Sequence, residues 1–395
     1  MNMKKLVFYS RLILLTISIL IVNGCATIIY NAIPLKDISK TSGKYYVGTQ
    51  NYYLVDSSRS MWFTDDISGP REISVKIWYP ADEKNLIKKA PYVDDEELIS
   101  EALSNRLGVP KALMKRAGGI ECNSWLDAIP IKGNFPILIY SHGHQSLKIA
   151  NTFQAEELAS NGYIVIAPDH TYDAAITVLD NQRVIYSKSK LPSNDQQASK
   201  QEMIDRVKKQ LKIRTADISF LLETMNHKFS HDNKFIGSAD TSRIGIFGHS
   251  FGGCTSIMSG FNDNRIDAVL GLDAYFLPLS ANIIKEDMNK PFVHLGQVSW
   301  GNSNNYKLME DIGKKNSKPS IHFSVDGSKH YDFTDFSQFT RLTKKFGSGD
   351  VSPKMIRKIM NVIMIDFFND KLKSGRKFDP DVYLEAFPEI THYVY

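Results

Sequence analysis

The chain has 395 residues, of which 23% are charged and 43% are hydrophobic, so its composition is that of a globular protein rather than a disordered one. The formal net charge is +5. The first 24 residues contain three basic side chains and no acidic one, which leaves +2 for the remainder. A nearly neutral chain gives no support to nucleic-acid binding.

The N-terminal segment is predicted to direct export. Three basic residues precede an apolar stretch over residues 12–22, which is too short to cross a bilayer comfortably. The sequence VNGC at residues 22–25 resembles the lipobox of bacterial lipoproteins, in which the cysteine becomes the lipidated first residue. We therefore expect a lipoprotein signal peptide at residues 1–24, lipidation at Cys25 and a tether at residues 25–43. An uncleaved membrane anchor is the alternative.

The residue after the cysteine bears on location. Ala26 is not an acidic residue of the kind that retains lipoproteins at the inner membrane, so the resemblance favours the outer membrane if the host has one. The expected location is the cell envelope.

Strand patterns begin after the predicted tether. Residues 44–55 are rich in tyrosine and valine, and the alternation at residues 72–79 predicts a half-buried strand in an edge region of a sheet. Four later runs are almost entirely apolar, which is typical of parallel strands buried on both faces: residues 135–140, 163–167, 244–247 and 268–272. Two more strands are predicted at residues 292–295 and 321–325.

Helical patterns lie between these strands, at residues 150–160, 197–226 and 353–372. The first ends at Asn161-Gly162, a helix-stop signal, and the last has Pro353 in its first turn. Alternating strands and helices predict an α/β fold with a mostly parallel, doubly wound sheet.

Residues 82–130 form an insertion between two predicted strands. Apolar side chains at helical spacing predict one or two helices within residues 94–116. Two interpretations remain open: helices that pack on the core, or a lid-like element that covers the site or faces a membrane.

The pentapeptide Gly248-His249-Ser250-Phe251-Gly252 follows an apolar strand pattern and precedes a helix-compatible stretch of small residues. In this context G-x-S-x-G forms a nucleophile elbow, a tight turn that strains the serine backbone and exposes its hydroxyl. We interpret Ser250 as a nucleophile, and a glycine-rich turn without catalytic function is the alternative. A serine hydroxyl needs a base and an acid to activate it.

Catalytic side chains of this architecture lie on loops at the carboxyl ends of strands. Residues 321–325 lead into the loop that carries His330, the predicted base, whereas His294 and His322 lie inside strands and are expected to be packed. No carboxylate closely follows residues 292–295, and the preceding strand ends directly in Asp273, so elimination selects Asp273 as the acid. Asp326 remains an alternative. The order Ser–Asp–His is that of α/β hydrolases.

An oxyanion hole needs two backbone N–H groups. Phe251, directly after the nucleophile, is predicted to supply one. The other is assigned to His144, in the loop after residues 135–140, where Gly143 lets the backbone approach the site. His142 is expected to orient this loop rather than to act as a second base.

The remaining cysteines, Cys122 and Cys254, are expected to be free thiols, with Cys254 buried in the helix behind Ser250. No spacing of residues suggests a metal site, and no cofactor is expected.

These segments resemble the plasma-type platelet-activating factor acetylhydrolases, a family with the α/β-hydrolase fold. The resemblance covers roughly residues 70–340. It is carried by VKIWYPAD at 75–82, FPILIYSHG at 135–143, LASNGYIVIAPDH at 158–170, GHSFGG at 248–253, GLDAYFLPL at 271–279 and GSKHYDFTDF at 327–336. Tyr331 stands where the family tends to have glutamine, and His144 where it has an apolar residue.

The resemblance implies a calcium-independent serine esterase that removes short or oxidised sn-2 acyl chains from phospholipids, of the 1-alkyl-2-acetylglycerophosphocholine esterase type. Residues 44–372 are assigned to an α/β-hydrolase catalytic domain and residues 373–395 to a C-terminal extension. The alternatives are a broad-specificity carboxylesterase for small or polymeric esters and a non-catalytic binding lipoprotein. The expected partners are the ester substrate and a membrane, through Cys25. The sequence does not determine the oligomeric state.

Overall fold

The structure, a computed structural model, describes residues 39–395 apart from residues 65, 108–110, 192–199, 233, 280–282, 303 and 340. The predicted signal peptide, Cys25 and most of the predicted tether lie outside the described residues. Within the described ranges, no helix combines the length and the apolar character that crossing a membrane requires.

A mixed sheet of eleven strands forms the centre of the described fold. The strands in chain order are β1 (Tyr46–Ser60), β2 (Pro70–Ala81), β3 (Lys89–Pro91), β4 (Glu121–Leu126), β5 (Phe135–Ser141), β6 (Ile164–Asp169), β7 (Ile176–Val178), β8 (Val184–Tyr186), β9 (Ala239–His249), β10 (Ala268–Leu272), β11 (Phe292–Gln297), β12 (Ser320–Val325) and β13 (Ile390–Val394). Their order in the sheet is β13-β12-β11-β10-β9-β5-β6-β2-β1-β4-β3, and β7 and β8 pair separately.

Six neighbouring strands, from β12 across to β6, run parallel. Helices cover both faces of this region. The helices are α1 (Glu96–Leu107), α2 (Lys111–Gly118), α3 (Thr152–Ser160), α4 (Lys200–His231), α5 (Phe251–Asn262), α6 (Asn304–Lys315), α7 (Phe336–Phe339), α8 (Pro353–Lys373) and α9 (Val382–Ala386). Ile137 and Ile139 of β5 belong to one apolar core with α4 and α5, and Leu138 and Tyr140 belong to the other with α3 and α8. The predicted doubly wound α/β fold is confirmed.

The prediction of a half-buried, edge-region strand at residues 72–79 is wrong. β2 lies inside the sheet between β1 and β6, and almost all of it is buried. Its polar side chains have buried partners instead of solvent. Lys76 is 2% exposed and pairs with Asp94 at 2.6 Å, and Ser74 accepts a hydrogen bond from Lys148 Nζ at 2.8 Å. The alternation therefore reflects polar pairing inside the protein rather than a solvent-facing surface.

The insertion at residues 82–130 contains β3, β4 and the two predicted helices, α1 and α2. β4 pairs with β1, which places the insertion at one edge of the sheet. Tyr92 Oη donates to the carbonyl of Ile149 at 3.0 Å and lies 3.1 Å from Asp335 Oδ2. The insertion thus contacts the loop after β5 and the loop after β12, and its function as a lid stays a prediction.

The C-terminal segment, which the sequence analysis set apart as an extension, contributes α9 and the edge strand β13. β13 pairs antiparallel with β12. Cys122 and Cys254 are both buried and free, as predicted.

We expect Glu156→Leu to lower the free energy of unfolding by roughly 2–5 kcal/mol, because one buried and one partly buried backbone N–H group would lose their acceptor. The fully buried Glu156 side chain of α3 accepts from the N–H groups of Asn123 at 3.1 Å and Ser124 at 2.7 Å, which join β4 to the core. Guanidinium denaturation followed by circular dichroism measures the change. Glu156→Gln keeps one oxygen acceptor and should lose less; equal stability of both variants and the wild type would contradict the prediction.

Candidate active site

Ser250 lies in the predicted elbow between β9 and α5. Its φ of 56° and ψ of −120° are rare for a residue with a side chain. Its N–H donates to the carbonyl of Leu272 at 3.0 Å, and its carbonyl accepts from the N–H of Tyr275 at 2.9 Å. These bonds from the end of the neighbouring strand hold the strained backbone in place.

Gly252 makes the elbow possible because β5 passes directly against it. A Cβ atom at this position would lie 1.9 Å from the carbonyl oxygen of Ser141 and 2.5 Å from that of His142. Both obstacles are backbone atoms, so the loop after β5 and the elbow can approach each other only where residue 252 has no side chain.

Asp273 and His330, predicted to be the acid and the base, meet at the same edge of the sheet. His330 Nδ1 lies 2.5 Å from Asp273 Oδ2. Since an ionised carboxylate only accepts hydrogen bonds, Nδ1 carries the proton and Nε2 is left as the basic nitrogen. Asp326, the alternative acid, is exposed and its Oδ1 accepts from the N–H of Gly327.

His249 connects the elbow to the loop of His330. Its Nε2 donates to the carbonyl of His330 at 2.9 Å, and the two ring centroids are 4.5 Å apart. Burial, followed by the nearby His330, lowers the pKa of His249 to about 3, so this ring is neutral. It places the His330 loop beside Ser250.

Three side chains that the sequence analysis did not identify also bind Asp273. Gln297 Nε2 donates at 2.9 Å, Trp300 Nε1 donates at 3.0 Å, and the Tyr306 hydroxyl donates to Oδ1. Burial acts to raise the pKa of Asp273, but the hydrogen bonds from His330 and Tyr306 outweigh it and hold the pKa well below its usual range. The carboxylate is therefore ionised at neutral pH. The sequence signal that could have identified these side chains is their position at or after the end of β11, where hydrogen-bond donors occur instead of a carboxylate.

The loop after β5 brings Gly143 and His144 to the elbow. A Cβ atom on Gly143 would lie 3.4 Å from Ser250 Cβ. The carbonyl of Gly143 accepts from His142 Nδ1 at 2.7 Å and from Arg214 Nη2 at 3.3 Å. In a trans peptide the carbonyl and the following N–H point in opposite directions, so the N–H of His144 points away from Arg214. The N–H of Phe251 lies in the first turn of α5, where helical N–H groups have no intrahelical acceptor.

A buried polar network lies behind this loop. His142 Nε2 accepts from the N–H of His170 at 3.0 Å, and burial, followed by Arg214, holds the pKa of His142 well below its usual range. His142 is thus a neutral ring that orients the loop. His170 in turn lies 3.0 Å from Ser141 Oγ and 2.9 Å from Asp217 Oδ2.

Exposed apolar side chains follow β11 and β12, the strands whose ends lead to Trp300 and His330. Val298, Tyr331 and Phe336 are 58%, 47% and 39% exposed. The Trp300 ring stacks on Tyr275 at 5.6 Å and meets the ring of His330 edge-on at 5.0 Å. We call Tyr275, Val298, Trp300, Tyr331 and Phe336 the apolar rim. Among the described residues, no three His, Cys, Asp or Glu side chains are grouped to hold a metal ion.

The chain is similar to known proteins in both sequence and fold. The family model described as platelet-activating factor acetylhydrolase, isoform II, matches residues 31–384. The platelet-activating factor acetylhydrolase of Gallus gallus is 24% identical over 77% of this chain and 79% of its own. A probable 1-alkyl-2-acetylglycerophosphocholine esterase of Arthroderma benhamiae is 24% identical over 76% of each chain. The solved structure of a ferulic acid esterase from Streptomyces cinnamoneus has a TM-score of 0.72 and 24% identity, covering 90% of this chain and 99% of that one.

We expect Asp217→Asn to destabilise the protein by about 3–5 kcal/mol at pH 7, because the buried Arg71 would lose its carboxylate partner. Burial acts to raise the pKa of Asp217, but the charge of Arg71 outweighs it and holds the pKa far below its usual range. A depressed pKa stabilises the fold above the unfolded value of about 4, and this stabilisation is lost as the pH falls below it.

The free energy of unfolding of Asp217→Asn should therefore fall less steeply below pH 4 than that of the wild type, by up to about 1.4 kcal/mol per pH unit. Urea denaturation at pH 7 and between pH 5 and pH 3 measures both effects. Asp311→Asn, which breaks the exposed pair with Lys307, is the matched control and should change stability by less than about 1 kcal/mol. Parallel pH profiles for Asp217→Asn and the wild type would contradict the assignment.

Proposed function

The chain belongs to the isoform II family of platelet-activating factor acetylhydrolases, and we propose that it hydrolyses short or oxidised sn-2 acyl esters of phospholipids with a Ser250–His330–Asp273 triad. It is a carboxylic ester hydrolase of the α/β-hydrolase fold. The observation that carries the proposal is the strained Ser250 in an elbow beside the hydrogen-bonded pair of His330 and Asp273.

In the proposed mechanism, Ser250 Oγ attacks the ester carbonyl while His330 Nε2 takes its proton. Asp273 holds the Nδ1–H group and stabilises the imidazolium that forms. The N–H groups of Phe251 and His144 stabilise the tetrahedral oxyanion, and His330 then protonates the departing alcohol. Water attacks the acyl-enzyme in the second half of the reaction, with His330 again as base and then as acid, and the carboxylic acid and the free Ser250 hydroxyl are released.

Two features support a lipid ester as substrate. The matching family and the named relatives act on platelet-activating factor or on 1-alkyl-2-acetylglycerophosphocholine, as their names state. The exposed apolar rim would contact the hydrocarbon part of a lipid. All three triad positions are filled, which argues against a non-catalytic binding scaffold. Calcium independence is inferred from the family resemblance.

A broad-specificity carboxylesterase is the second candidate function. The stacked rings of Tyr275 and Trp300 lie beside His330, where they could bind a flat aromatic acyl group. The structural neighbour described as a ferulic acid esterase is named for such an ester.

We also propose that Cys25 carries a lipid and holds the enzyme at the cell envelope, on the outer membrane if the host has one. The basic and apolar segment followed by VNGC supports this proposal.

One experiment tests the proposed substrate and the proposed nucleophile together. Without calcium, the wild type should hydrolyse phosphatidylcholine with an sn-2 acetyl group and leave its long-chain sn-2 counterpart largely intact, because the family resemblance implies short-chain selectivity. Ser250→Ala should reduce turnover at least about 10⁴-fold while the fold is retained. Ser259→Ala, on the same helix, is the matched control, since the buried Ser259 Oγ has no hydrogen-bond partner among the residues that the structure describes.

The outcomes separate the candidates. Turnover by folded Ser250→Ala at the wild-type rate would exclude the proposed triad. Hydrolysis of p-nitrophenyl acetate or methyl ferulate, but of neither phospholipid, would keep the triad and favour the general carboxylesterase. Equal rates on both phospholipids would contradict selectivity for short chains.

A separate experiment tests the proposed lipid anchor at Cys25. In a bacterial host grown with labelled palmitate, the wild type should incorporate label and sediment with membranes, because the thiol of Cys25 would be acylated after export. Cys25→Ala should lose both properties, whereas Cys122→Ala, which changes a buried thiol, should keep them. Label that persists in Cys25→Ala would exclude this residue as the lipidation site.

A further inference from the structure

A buried chain of hydrogen bonds runs from the backbone beside Asp273 through two histidines. The N–H of Ala274 donates to His294 Nε2 at 2.9 Å. The Nδ1 atoms of His294 and His322 are 2.9 Å apart, and His322 Nε2 lies 2.9 Å from Ser324 Oγ. The two histidines are register partners on the parallel strands β11 and β12, so the sheet itself places the rings side by side.

The N–H group of Ala274 determines where each histidine proton lies in this chain of hydrogen bonds. A backbone N–H can only donate, so His294 Nε2 has no proton and the neutral ring carries its proton on Nδ1. That proton is donated to His322 Nδ1, which leaves the proton of His322 on Nε2, directed at Ser324 Oγ. Burial holds the pKa of His294 well below its usual range and lowers that of His322 to about 4, so both rings are neutral at pH 7.

This chain of hydrogen bonds ends next to a strained residue, Asp273. Asp273 has a φ of 42°, in the left-handed region that disfavours side chains. Its own N–H donates to the carbonyl of Leu295 at 2.6 Å, and the next N–H, that of Ala274, donates to His294. Both peptides that flank Asp273 are therefore held by β11, one by its backbone and the other by a histidine side chain.

We propose that His294, supported by His322, is a positioning residue that fixes the backbone of Asp273 and thereby the hydrogen bond that His330 Nδ1 donates to Asp273. This inference rests on the proposed triad. Without the acceptor on His294, the N–H of Ala274 is buried and unsatisfied, and the strained turn at Asp273 loses one of the two bonds by which β11 holds it. The carboxylate then no longer aligns the imidazole of His330 with Ser250.

The test compares His294→Phe with His294→Gln. Phenylalanine fills the same space without an acceptor, whereas glutamine Oε1 can accept from the N–H of Ala274. With p-nitrophenyl acetate, His294→Phe should lower kcat by about 10–100-fold with little change in KM, since a small misplacement of a catalytic group slows chemistry rather than binding. His294→Gln should restore most of kcat.

A spectroscopic readout separates positioning from a merely structural function. The far-downfield proton resonance of the short bond between His330 Nδ1 and Asp273 should vanish or move upfield in His294→Phe and return in His294→Gln. Should His294→Phe fail to fold, His322→Leu and its match His322→Asn test the same chain, since asparagine Oδ1 can replace the Nδ1 acceptor.

Three results would overturn the inference. Folded His294→Phe with wild-type kcat and an unmoved resonance would do so, even if its melting temperature falls, because the histidine would then be structural only. Loss of activity that neither glutamine at 294 nor asparagine at 322 restores would exclude the acceptor function. Wild-type activity in Ser250→Ala would instead remove the triad, which distinguishes the failure of the proposed function from that of the positioning residue.

Discussion

Ser250 and Asp273 both have positive φ angles, and the site depends on hydrogen bonds that continue the sheet beyond the ends of its strands to hold them. The N–H of Ser250 bonds to the carbonyl of Leu272 on the next strand, and the N–H of Asp273 bonds to that of Leu295 on the strand after it. Each strained residue costs about 1–3 kcal/mol, and the neighbouring strand stabilises it. Ser250 and Asp273, the proposed nucleophile and acid, are thus held by hydrogen bonds to successive strands of the sheet, so their relative position is a property of the parallel sheet.

The charge state of the histidines around the site follows from their burial. His142, His249, His294 and His322 lie near the site, and burial lowers the pKa of each, so all four are neutral rings with fixed donors and acceptors. His330 differs because its side chain is 27% exposed and bonds to an ionised carboxylate. The four buried histidines therefore orient neighbouring groups, and His330, the partly exposed imidazole, is the one proposed to transfer protons.

Sequence reasoning located best those elements whose position in the fold follows from their order along the chain. Apolar runs identify the parallel strands, and the ends of those strands select Ser250, Asp273 and His330 as candidates, because catalytic loops of this architecture lie at the carboxyl ends. Sequence reasoning missed Tyr306 and the chain from His294 to His322, whose functions depend on which strand or helix lies alongside. It also mistook β2 for a half-exposed strand, because the ion pair of Lys76 with Asp94 is visible only once the insertion folds back.

The position of the tether bears on how a lipid-anchored form would meet its substrate. The N–H groups of Ser42 and Gly43 donate hydrogen bonds to Glu157 and Ser160 at the C-terminal end of α3. This end of the helix leads into the start of β6, whereas the elbow follows the end of β9, so the two lie at opposite ends of the parallel strands. The 14 residues that begin at the proposed lipidation site Cys25 and precede Ser39 can span at most about 50 Å when extended.

A globular domain of this length has a radius of gyration of about 20 Å, so a chain of that reach extends roughly from one edge of the domain to the other. A lipid on Cys25 would therefore keep the enzyme near a bilayer without fixing which face it presents. The exposed side chains of Val298, Tyr331 and Phe336 lie around the mouth of the site, and they would favour the orientation in which that mouth faces the lipid. In this arrangement the tether sets the local concentration of substrate, and the apolar rim sets the approach of the ester to Ser250.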